Sequence, residues 1–281
     1  MTRLYISADL EGVCGVVSPH HCAPEPDRVA YDHAVRQMHL EVRTVAETAL
    51  EAGVSDVVVN DSHCTMTNLD AAQMPAGVSL VSGKPKRCAM VAGLDSSFDA
   101  AVFIGYHAKA GAQAGVLSHT FHGKLFDVSI NGVSYGEGGI NGLHASLVHQ
   151  VPLILVSGDR AFNAEMHALL PTLSTVETKI GLGQTAAQCH PWERVRADYQ
   201  TKMRQALTNR SAWNQNRLAL PGPYELRLTF INPLLADAAD LIPGLERVDG
   251  RTLLYRNDCF HTVYRMMQSC YSMLAMTSYL E

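Results

Sequence analysis

The run Tyr5-Ile-Ser-Ala-Asp9-Leu-Glu11-Gly12 decides how the fold of this chain can be interpreted. Its first half is a short apolar strand signal, and its second half places Asp9 and Glu11 directly behind that strand. Residues i and i+2 of an extended segment project to the same side, so both carboxylates can face one site. Gly12 then lets the backbone turn sharply away. The run therefore predicts a strand that ends in a pair of acidic side chains.

Two later strand-like runs close in the same way, with a metal-type ligand behind each strand. They are Val57-Val-Val-Asn-Asp61-Ser-His63 and Ala101-Val-Phe-Ile-Gly-Tyr-His107. In an open α/β sheet, ligands bind beyond the carboxyl ends of the strands, so these side chains should meet Asp9 and Glu11. A mixed set of carboxylates and imidazoles suits a zinc-type divalent ion with a catalytic duty. The pattern predicts a metallohydrolase.

Alternation of strand and helix signals predicts the fold class. Residues 27–53 carry apolar side chains at helical spacing, with Asp27 as the cap and Gly53 as the stop. Strand, helix and strand in this order form the unit of a parallel sheet. Further strands are predicted at 78–81, 100–104 and 152–156. We expect an α/β fold with a largely parallel sheet flanked by helices.

Strand and helix signals alternate less regularly in the second half of the chain. Asn131-Gly132 between two strand-like runs is a strong hairpin signal, and a helix should run from the segment 136–141 to about 150. We expect an α/β metal-binding core at 1–175 and a smaller C-terminal α+β subdomain at 176–281. The elements predicted for that subdomain are strands at 175–180 and 225–231 and helices at 193–209 and 258–279.

Composition limits the partners and the compartment. The formal net charge of -5 comes without a cluster of Lys or Arg, so we expect no nucleic-acid partner. No stretch approaches the ~18 apolar residues of a membrane span, so we expect no membrane partner either. The seven cysteines are odd in number and scattered, and the amino terminus lacks the pattern of a secretory signal. We therefore expect a cytoplasmic protein without a disulfide framework.

Two further side chains are candidates for the site. Glu137 lies in Tyr135-Gly-Glu-Gly-Gly139, where the glycines expose its carboxylate, although a helix also favours Glu in its first turn. His119 follows a loose Ala/Gly loop and is a candidate acid/base group, with His122 as its competitor.

Other features carry less weight in the sequence. If the substrate carries a free amino group, we expect that group to bind close to one metal or to an uncommitted acid such as Asp61 or Asp159. His20-His21-Cys22 resembles a metal cluster, but adjacent side chains on an extended loop point apart, so we expect a loop surface there. Gly181-Leu-Gly183 imitates a dinucleotide fingerprint too late in the chain, which favours a tight turn.

Five motifs, in the same order, resemble the M55 family of D-aminopeptidases, and the resemblance covers essentially the whole chain, extending to Glu177-Thr-Lys179 and the start of the following helical segment. The motifs are Ser7-Ala-Asp9-Leu-Glu11-Gly12, Asn60-Asp-Ser-His63, Gly105-Tyr-His107, Ser118-His119-Thr120 and Asn131-Gly-Val-x-Tyr-Gly-Glu137-x-Gly-x-Asn141. Together they are far more specific than any one alone.

The resemblance implies a zinc-dependent aminopeptidase or amidase that removes the first residue of short peptides, D-amino acids among them, through a metal-activated water. It implies two Zn²⁺ ions per subunit, the catalytic histidine at His119, and a homo-oligomer that forms a decameric ring. The implied metal ligands are Asp9 as a bridge, Glu11 and His63 at one ion, and His107 and Glu137 at the other.

Two alternatives fit the same residues. A dinuclear metal phosphoesterase uses similar carboxylate and imidazole pairs, although no Arg cluster or Gly-rich anion loop lies near them. A non-catalytic, metal-stabilised, peptide-binding oligomer is the other, although structural zinc sites are usually closed and rich in cysteine. Replacing His119 separates a catalyst from a scaffold.

Overall fold

The computed structural model describes residues 1–274 of the chain. Its strands are β1 (Arg3–Ala8), β2 (Asp56–Asp61), β3 (Val78–Val81), β4 (Ala100–Tyr106), β5 (Leu125–Ile130), β6 (Val133–Ser134), β7 (Leu153–Asp159), β8 (Ser174–Gly183), β9 (Ala186–Cys189), β10 (Tyr224–Phe230), β11 (Glu246–Arg247) and β12 (Thr252–Asn257). Its helices are α1 (Arg28–Glu51), α2 (Glu137–His149), α3 (Arg160–Leu169), α4 (Trp192–Thr208), α5 (Pro233–Ala239) and α6 (Phe260–Leu274).

Seven strands form the main sheet, in the order β3-β2-β1-β4-β7-β8-β9. All neighbours pair in parallel except β9, which returns antiparallel to β8. The predicted α/β fold with a largely parallel sheet is confirmed. The strand order reverses between β1 and β4, and open α/β sheets bind their ligands at such a reversal.

Both faces of this sheet are covered, as a parallel sheet requires. Along β1, Leu4, Ile6 and Ala8 belong to the core cluster shared with α1 and α4. Tyr5 between them belongs to the cluster on the other face, with residues of α2 and α6. Successive strand residues point to opposite faces, so all positions of the strand after Arg3 are buried.

Local signals in the sequence set several element ends. The Asp27 carboxylate accepts from the Ala30 N–H at 3.0 Å and caps α1, and Gly53, at φ +91°, follows its end. Asn131 and Gly132 both have positive φ and join β5 to β6, so the predicted hairpin is confirmed.

The second sheet has the order β11-β12-β10-β5-β6 and its strands pair antiparallel. It draws on both sides of residue 175, because β5 and β6 precede that residue and the other three strands follow it. The residue itself lies within β8, a strand of the main sheet. The division into a core and a C-terminal subdomain stays a prediction, but neither sheet is confined to one side of its boundary.

The last predicted helix, 258–279, extends beyond the described residues, within which α6 runs from Phe260 to Leu274. None of the helices in residues 1–274 is long and apolar enough to cross a membrane. All seven cysteines lie in this part of the chain, and each is a free thiol.

Candidate metal centre

The five side chains predicted as ligands meet at the carboxyl edge of the main sheet. Asp9 and Glu11 follow β1, His63 follows β2, His107 follows β4, and Glu137 is the first residue of α2. Each of the five is at least nine-tenths buried. The strand order places β1 between β2 and β4, so these strand ends are neighbours in space.

Asp9 lies between two carboxylate and imidazole pairs. Its Oδ1 is 3.4 Å from His63 Nδ1, and its Oδ2 is 3.6 Å from His107 Nε2. Glu11 Oε2 lies 3.0 Å from His63 Nδ1, and Glu137 Oε1 lies 3.3 Å from His107 Nε2. The two oxygens of one carboxylate thus face two separate half-sites, which is the arrangement needed to bridge a pair of ions.

Backbone carbonyls fix the orientation of the imidazoles. His63 Nε2 lies 2.7 Å from the Cys22 carbonyl, and His107 Nδ1 lies 3.0 Å from the Ala108 carbonyl. His119 Nδ1 likewise lies 2.9 Å from the Leu117 carbonyl. Only an N–H donates to a carbonyl, so in the neutral ring the other nitrogen presents a lone pair to the carboxylates. Metal-binding histidines are commonly oriented in this way.

This arrangement fits a cation between the side chains. A tetrahedral zinc ion with ligand atoms at about 2.1 Å separates them by about 3.4 Å, and the distances here run from 3.0 to 3.6 Å. Asp9 Oδ2 and His107 Nε2 are buried without any hydrogen-bond partner. Buried polar atoms normally have a hydrogen-bond partner, so these two unpartnered atoms indicate that a positive charge would fit between them.

The crowding of buried negative charges also favours a cation at this position. Burial raises the pKa of the Asp9 carboxyl to about 8, and the negative charge of Glu11 adds to this shift. Burial lowers the pKa of His107, but the attraction of Glu137 and the other carboxylates outweighs it and raises that pKa well above the usual value. Three carboxylates buried together therefore favour a bound positive charge.

His119, and not His122, joins this cluster. Its Nε2 lies 3.6 Å from Glu137 Oε1, and its side chain is 28% exposed. Burial and then the charge of His107 lower the pKa of His119. The ring is thus neutral at neutral pH and reachable from outside. His122 lines the same cavity, and its Nδ1 accepts from the Lys124 N–H at 3.1 Å.

Close backbone packing holds the loop behind β1 against the end of β4. The Gly12 N–H donates to the Gly105 carbonyl at 2.7 Å, and a Cβ at Gly12 would lie 1.8 Å from the Tyr106 carbonyl oxygen. Gly105 has φ +69°, and a Cβ there would lie 2.3 Å from the Asp9 carbonyl oxygen. No other residue type fits either position.

Lys179 is a positioning residue whose role the sequence did not reveal. It is fully buried, and its Nζ donates to the carbonyls of Glu11, Val13 and Val16 at 2.6, 2.7 and 2.6 Å. A buried ammonium needs such acceptors. The lysine thereby fixes the backbone that carries Glu11, from a strand more than 160 residues further along the chain.

Asp61 and Asp159 do not serve as free acids, so the suggestion that either binds a substrate amino group is wrong. Asp61 accepts from the backbone N–H groups of Asn68 and Leu69 at 2.6 and 2.7 Å. Asp159 accepts from those of Val116 and Phe162 at 2.6 and 2.8 Å. Both are fully buried and organise loops.

Cys22 corrects the expectation that the 20–22 loop is only a surface. Its thiol lies within 4.8 Å of ligand atoms of Glu11 and His63, and its carbonyl orients His63. The sequence offered the Cys-His cluster as a signal, but the side chain next to the site is the cysteine, because the loop folds back over the end of β1.

A cavity of about 370 Å³ opens onto the cluster. Asp9, Glu11, His63, His119 and Glu137 line one part of it. Phe121 and Tyr271, whose rings stack 5.0 Å apart, line another part. This volume is near the lower end of the range of small-ligand sites, about 300–1,000 Å³.

Comparison with known proteins agrees with this geometry. The family model for peptidase M55, described as D-aminopeptidase, matches residues 2–269. The chain belongs to the M55 peptidase family. A D-aminopeptidase of Bacillus subtilis (strain 168) is 30% identical over 275 residues, which cover 98% of this chain and 96% of that protein.

A solved structure of the family has the same fold. It is the Zn-dependent D-aminopeptidase DppA from Bacillus subtilis, described as a self-compartmentalizing protease. The TM-score is 0.92 with 29% identity, and the match covers 99% of each chain. This M55 member is therefore an enzyme of the peptidase class, as the motifs predicted.

Proposed function

We propose that this M55 peptidase is a zinc-dependent aminopeptidase that removes the amino-terminal residue of short peptides, with D-residues as its preferred first residue. The observation that carries the proposal is the single carboxylate of Asp9 placed between two carboxylate and imidazole half-sites in a small cavity. The names of the two relatives support zinc and D-residues.

Two zinc ions per subunit fit the half-sites. Glu11 and His63 would hold one ion, His107 and Glu137 would hold the other, and Asp9 would contribute one oxygen to each. When bound, such a pair of ions polarises the scissile carbonyl and lowers the pKa of a water molecule toward neutrality.

His119 would move the proton in this reaction. Its neutral imidazole points Nε2 toward Glu137, and Nδ1 is held by the Leu117 carbonyl, so a single nitrogen faces the cavity. A neutral ring can take a proton at Nε2 and then donate it to the leaving amine, at the same atom and within the same cavity. Its partial exposure gives it access to substrate, which the deeply buried His107 lacks.

The cavity suits a short peptide. Among its lining residues in the described part of the chain, Lys84 is the only lysine or arginine, and its side chain is exposed. A dipeptide whose first residue lies at the carboxylate and imidazole cluster would present its carboxylate to such a cation. The stacked pair Phe121 and Tyr271 offers an apolar surface for its side chains.

Assembly and location belong to the same proposal. A homo-oligomer, with ten subunits in a ring, would enclose the cavities and admit short peptides but exclude folded proteins. The description of the DppA structure as self-compartmentalizing supports an enclosed oligomer. The cytoplasmic location stays a prediction.

One set of assays tests the function. The purified protein is stripped with a chelator, reloaded with Zn²⁺, and assayed on matched D- and L-dipeptides, on their amides and on p-nitrophenyl phosphate. We expect hydrolysis of D-aminoacyl substrates that disappears on chelation and returns with zinc. Zinc-loaded protein that hydrolyses the phosphate ester but no aminoacyl bond would favour the phosphoesterase, and protein that hydrolyses neither would favour the scaffold.

A further inference from the structure

A second cluster of metal-type ligands lies apart from the centre at the strand ends. Cys88, His144 and His261 each place one ligand atom within 4.8 Å of the other two. His144 is the eighth residue of α2, His261 is the second residue of α6, and Cys88 lies in the loop between β3 and β4. Three separate parts of the chain thus bring a thiol and two imidazoles together.

The distances match those between ligands of one ion. His144 Nε2 lies 3.2 Å from His261 Nδ1, and Cys88 Sγ lies 4.0 Å from the same His261 Nδ1. A tetrahedral zinc ion, with nitrogen at about 2.05 Å and sulfur at about 2.3 Å, separates two nitrogens by about 3.3 Å and nitrogen from sulfur by about 3.6 Å. Each observed separation lies within a few tenths of an ångström of that geometry.

His144 presents one imidazole nitrogen to the cluster. Its residue is 0% exposed, and its Nε2 faces His261, a second imidazole. The other nitrogen, Nδ1, has no hydrogen-bond partner among the described residues, and it is not the atom that would bind the ion. Burial and then the neighbouring His149 lower the pKa of His144 to about 3, which keeps the ring neutral.

Helix α6 fixes the cysteine at this point. The backbone N–H of Cys88 donates to Gln268 Oε1 at 3.0 Å, and its carbonyl accepts from the Tyr264 hydroxyl at 3.2 Å. Both partners lie on α6, the helix that also carries His261. The backbone of Cys88 is therefore held in place relative to the helix that carries the imidazole.

The charges nearby determine how tightly a cation would bind. Burial raises the pKa of the Cys88 thiol above its ordinary value, and the guanidinium groups of Arg265 and Arg87 offset this rise only in part. These positive charges favour the thiolate, which is the form that binds a metal, but they also repel a cation. We expect binding weaker than at a centre with three carboxylates.

We propose that Cys88, His144 and His261 form a second metal site that takes a zinc-type divalent ion. Thiolate together with imidazole is a donor set of zinc proteins, and three protein ligands leave a fourth position for water. The ion would join α2 to α6 and to the loop before β4. Helix α2 begins at Glu137 and α6 carries Tyr271, so the site would brace two elements that line the cavity.

Metal counting on matched variants tests this site without reference to activity. The stripped full-length protein and its variants are titrated with Zn²⁺, and bound metal per chain is measured after removal of excess ion. We expect His261→Asn to bind one equivalent fewer than the wild type, with the missing equivalent being the weaker one. His149→Asn is the matched control, because its ring lies 5.2 Å from that of His144 but belongs to no ligand set.

Substitution of cobalt for zinc tests independently whether the Cys88 thiolate binds the metal. Cobalt(II) bound to a thiolate produces a near-ultraviolet charge-transfer band that carboxylate and imidazole ligands do not give. We expect this band to disappear in Cys88→Ser and to persist in Cys22→Ser, whose cysteine is the one beside the main centre. The partly exposed His261 makes His261→Asn the safer variant for folding, so it decides the outcome if Cys88→Ser does not fold.

Equal metal content in the wild type and His261→Asn would overturn the proposal, as would a thiolate band that survives in Cys88→Ser. The test measures a difference of one bound zinc equivalent between the wild type and His261→Asn. Its result does not depend on the number of ions at the strand ends, and a failed aminopeptidase assay does not change it.

Discussion

The imidazole rings of His107 and His119 stack face to face, with centroids 4.1 Å apart and planes 12° from parallel. Each ring places one nitrogen against a backbone carbonyl, so neither can turn over without losing a hydrogen bond. The deeply buried ring of His107 thus serves as a fixed surface for the more exposed ring of His119. This contact sets the direction of His119 Nε2 before substrate arrives.

Replacing His119 should therefore separate catalysis from metal binding. We expect His119→Ala to lower kcat by about 10²- to 10⁴-fold, the usual contribution of a positioned acid/base group, while zinc content and oligomeric state stay as in the wild type. Kinetics on a D-dipeptide together with metal analysis give the readout. His122→Ala is the matched control and should have the smaller effect. A larger loss in His122→Ala would reverse the assignment.

Asp9 should matter to both ions at once. We expect Asp9→Asn to lose both zinc equivalents of the main centre, because one charged oxygen at each half-site is removed. Glu11→Gln and Glu137→Gln should each weaken one equivalent. Metal analysis after dialysis against a weak chelator distinguishes these cases. If Asp9→Asn kept one ion at full occupancy, the shared position of this carboxylate between two ions would be disproved.

Lys84 should affect the binding only of substrates that carry a free carboxylate. We expect Lys84→Met to raise KM for a D-dipeptide several-fold and to leave KM for the corresponding dipeptide amide unchanged, because the amide has no charge to pair with the ammonium. The value of kcat should change little on either substrate. Equal changes in KM for acid and amide would assign Lys84 to the structure of the cavity mouth rather than to substrate recognition.

A methyl group at Gly12 should disrupt the join between the ends of β1 and β4. A Cβ there would lie 1.8 Å from the Tyr106 carbonyl oxygen, and backbone cannot move aside cheaply. We expect Gly12→Ala to lower the free energy of unfolding by several kcal/mol, roughly the scale of overpacked sites, and to abolish zinc binding. Gly250→Ala, whose Cβ would meet nothing within 4 Å, is the control and should leave the urea midpoint nearly unchanged.

Glu41 should make stability depend on pH. This fully buried carboxyl accepts from the Cys14 N–H and from the Tyr199 hydroxyl, and burial raises its pKa in the folded state. The folded protein then keeps a proton that the unfolded chain releases as the pH rises above about 4.5, so the wild type loses stability over that range. We expect Glu41→Gln to gain stability relative to the wild type between pH 5 and pH 8. Urea unfolding at both values measures this, and a difference independent of pH would contradict it.

Much of the main centre was predictable because strands have a regular geometry. Asp9, His63 and His107 each follow an apolar run, and parallel strands end at a common edge of the sheet. Lys179 was not predictable in this way, since its partners are three carbonyls that have no sequence signature. The prediction that Asp61 is free to bind a substrate was wrong. An acid at the end of a strand can equally well organise its own loop by accepting from backbone N–H groups.

The architecture shows the same limit. The parallel sheet and α1 were predictable from periodicity and caps, whereas β12 was not, because its pairing with β10 joins residues up to about 30 positions apart, and the two-residue β11 is defined only by its pairing with β12. Sheet membership of β5 and β6 also depends on strands about 100 residues further along the chain. No local sequence pattern predicts which distant strand will pair with these two strands.

The position of Lys179 has a consequence for biosynthesis. A nascent chain that has left the ribosome only as far as residue 150 already carries all five side chains of the main centre, yet it lacks the ammonium that gathers the carbonyls of Glu11, Val13 and Val16. The segment behind the first strand therefore reaches its final shape only after translation has passed β8. We therefore expect metal binding to follow the synthesis of β8, and a product that ends at residue 150 to bind metal less tightly than the full chain.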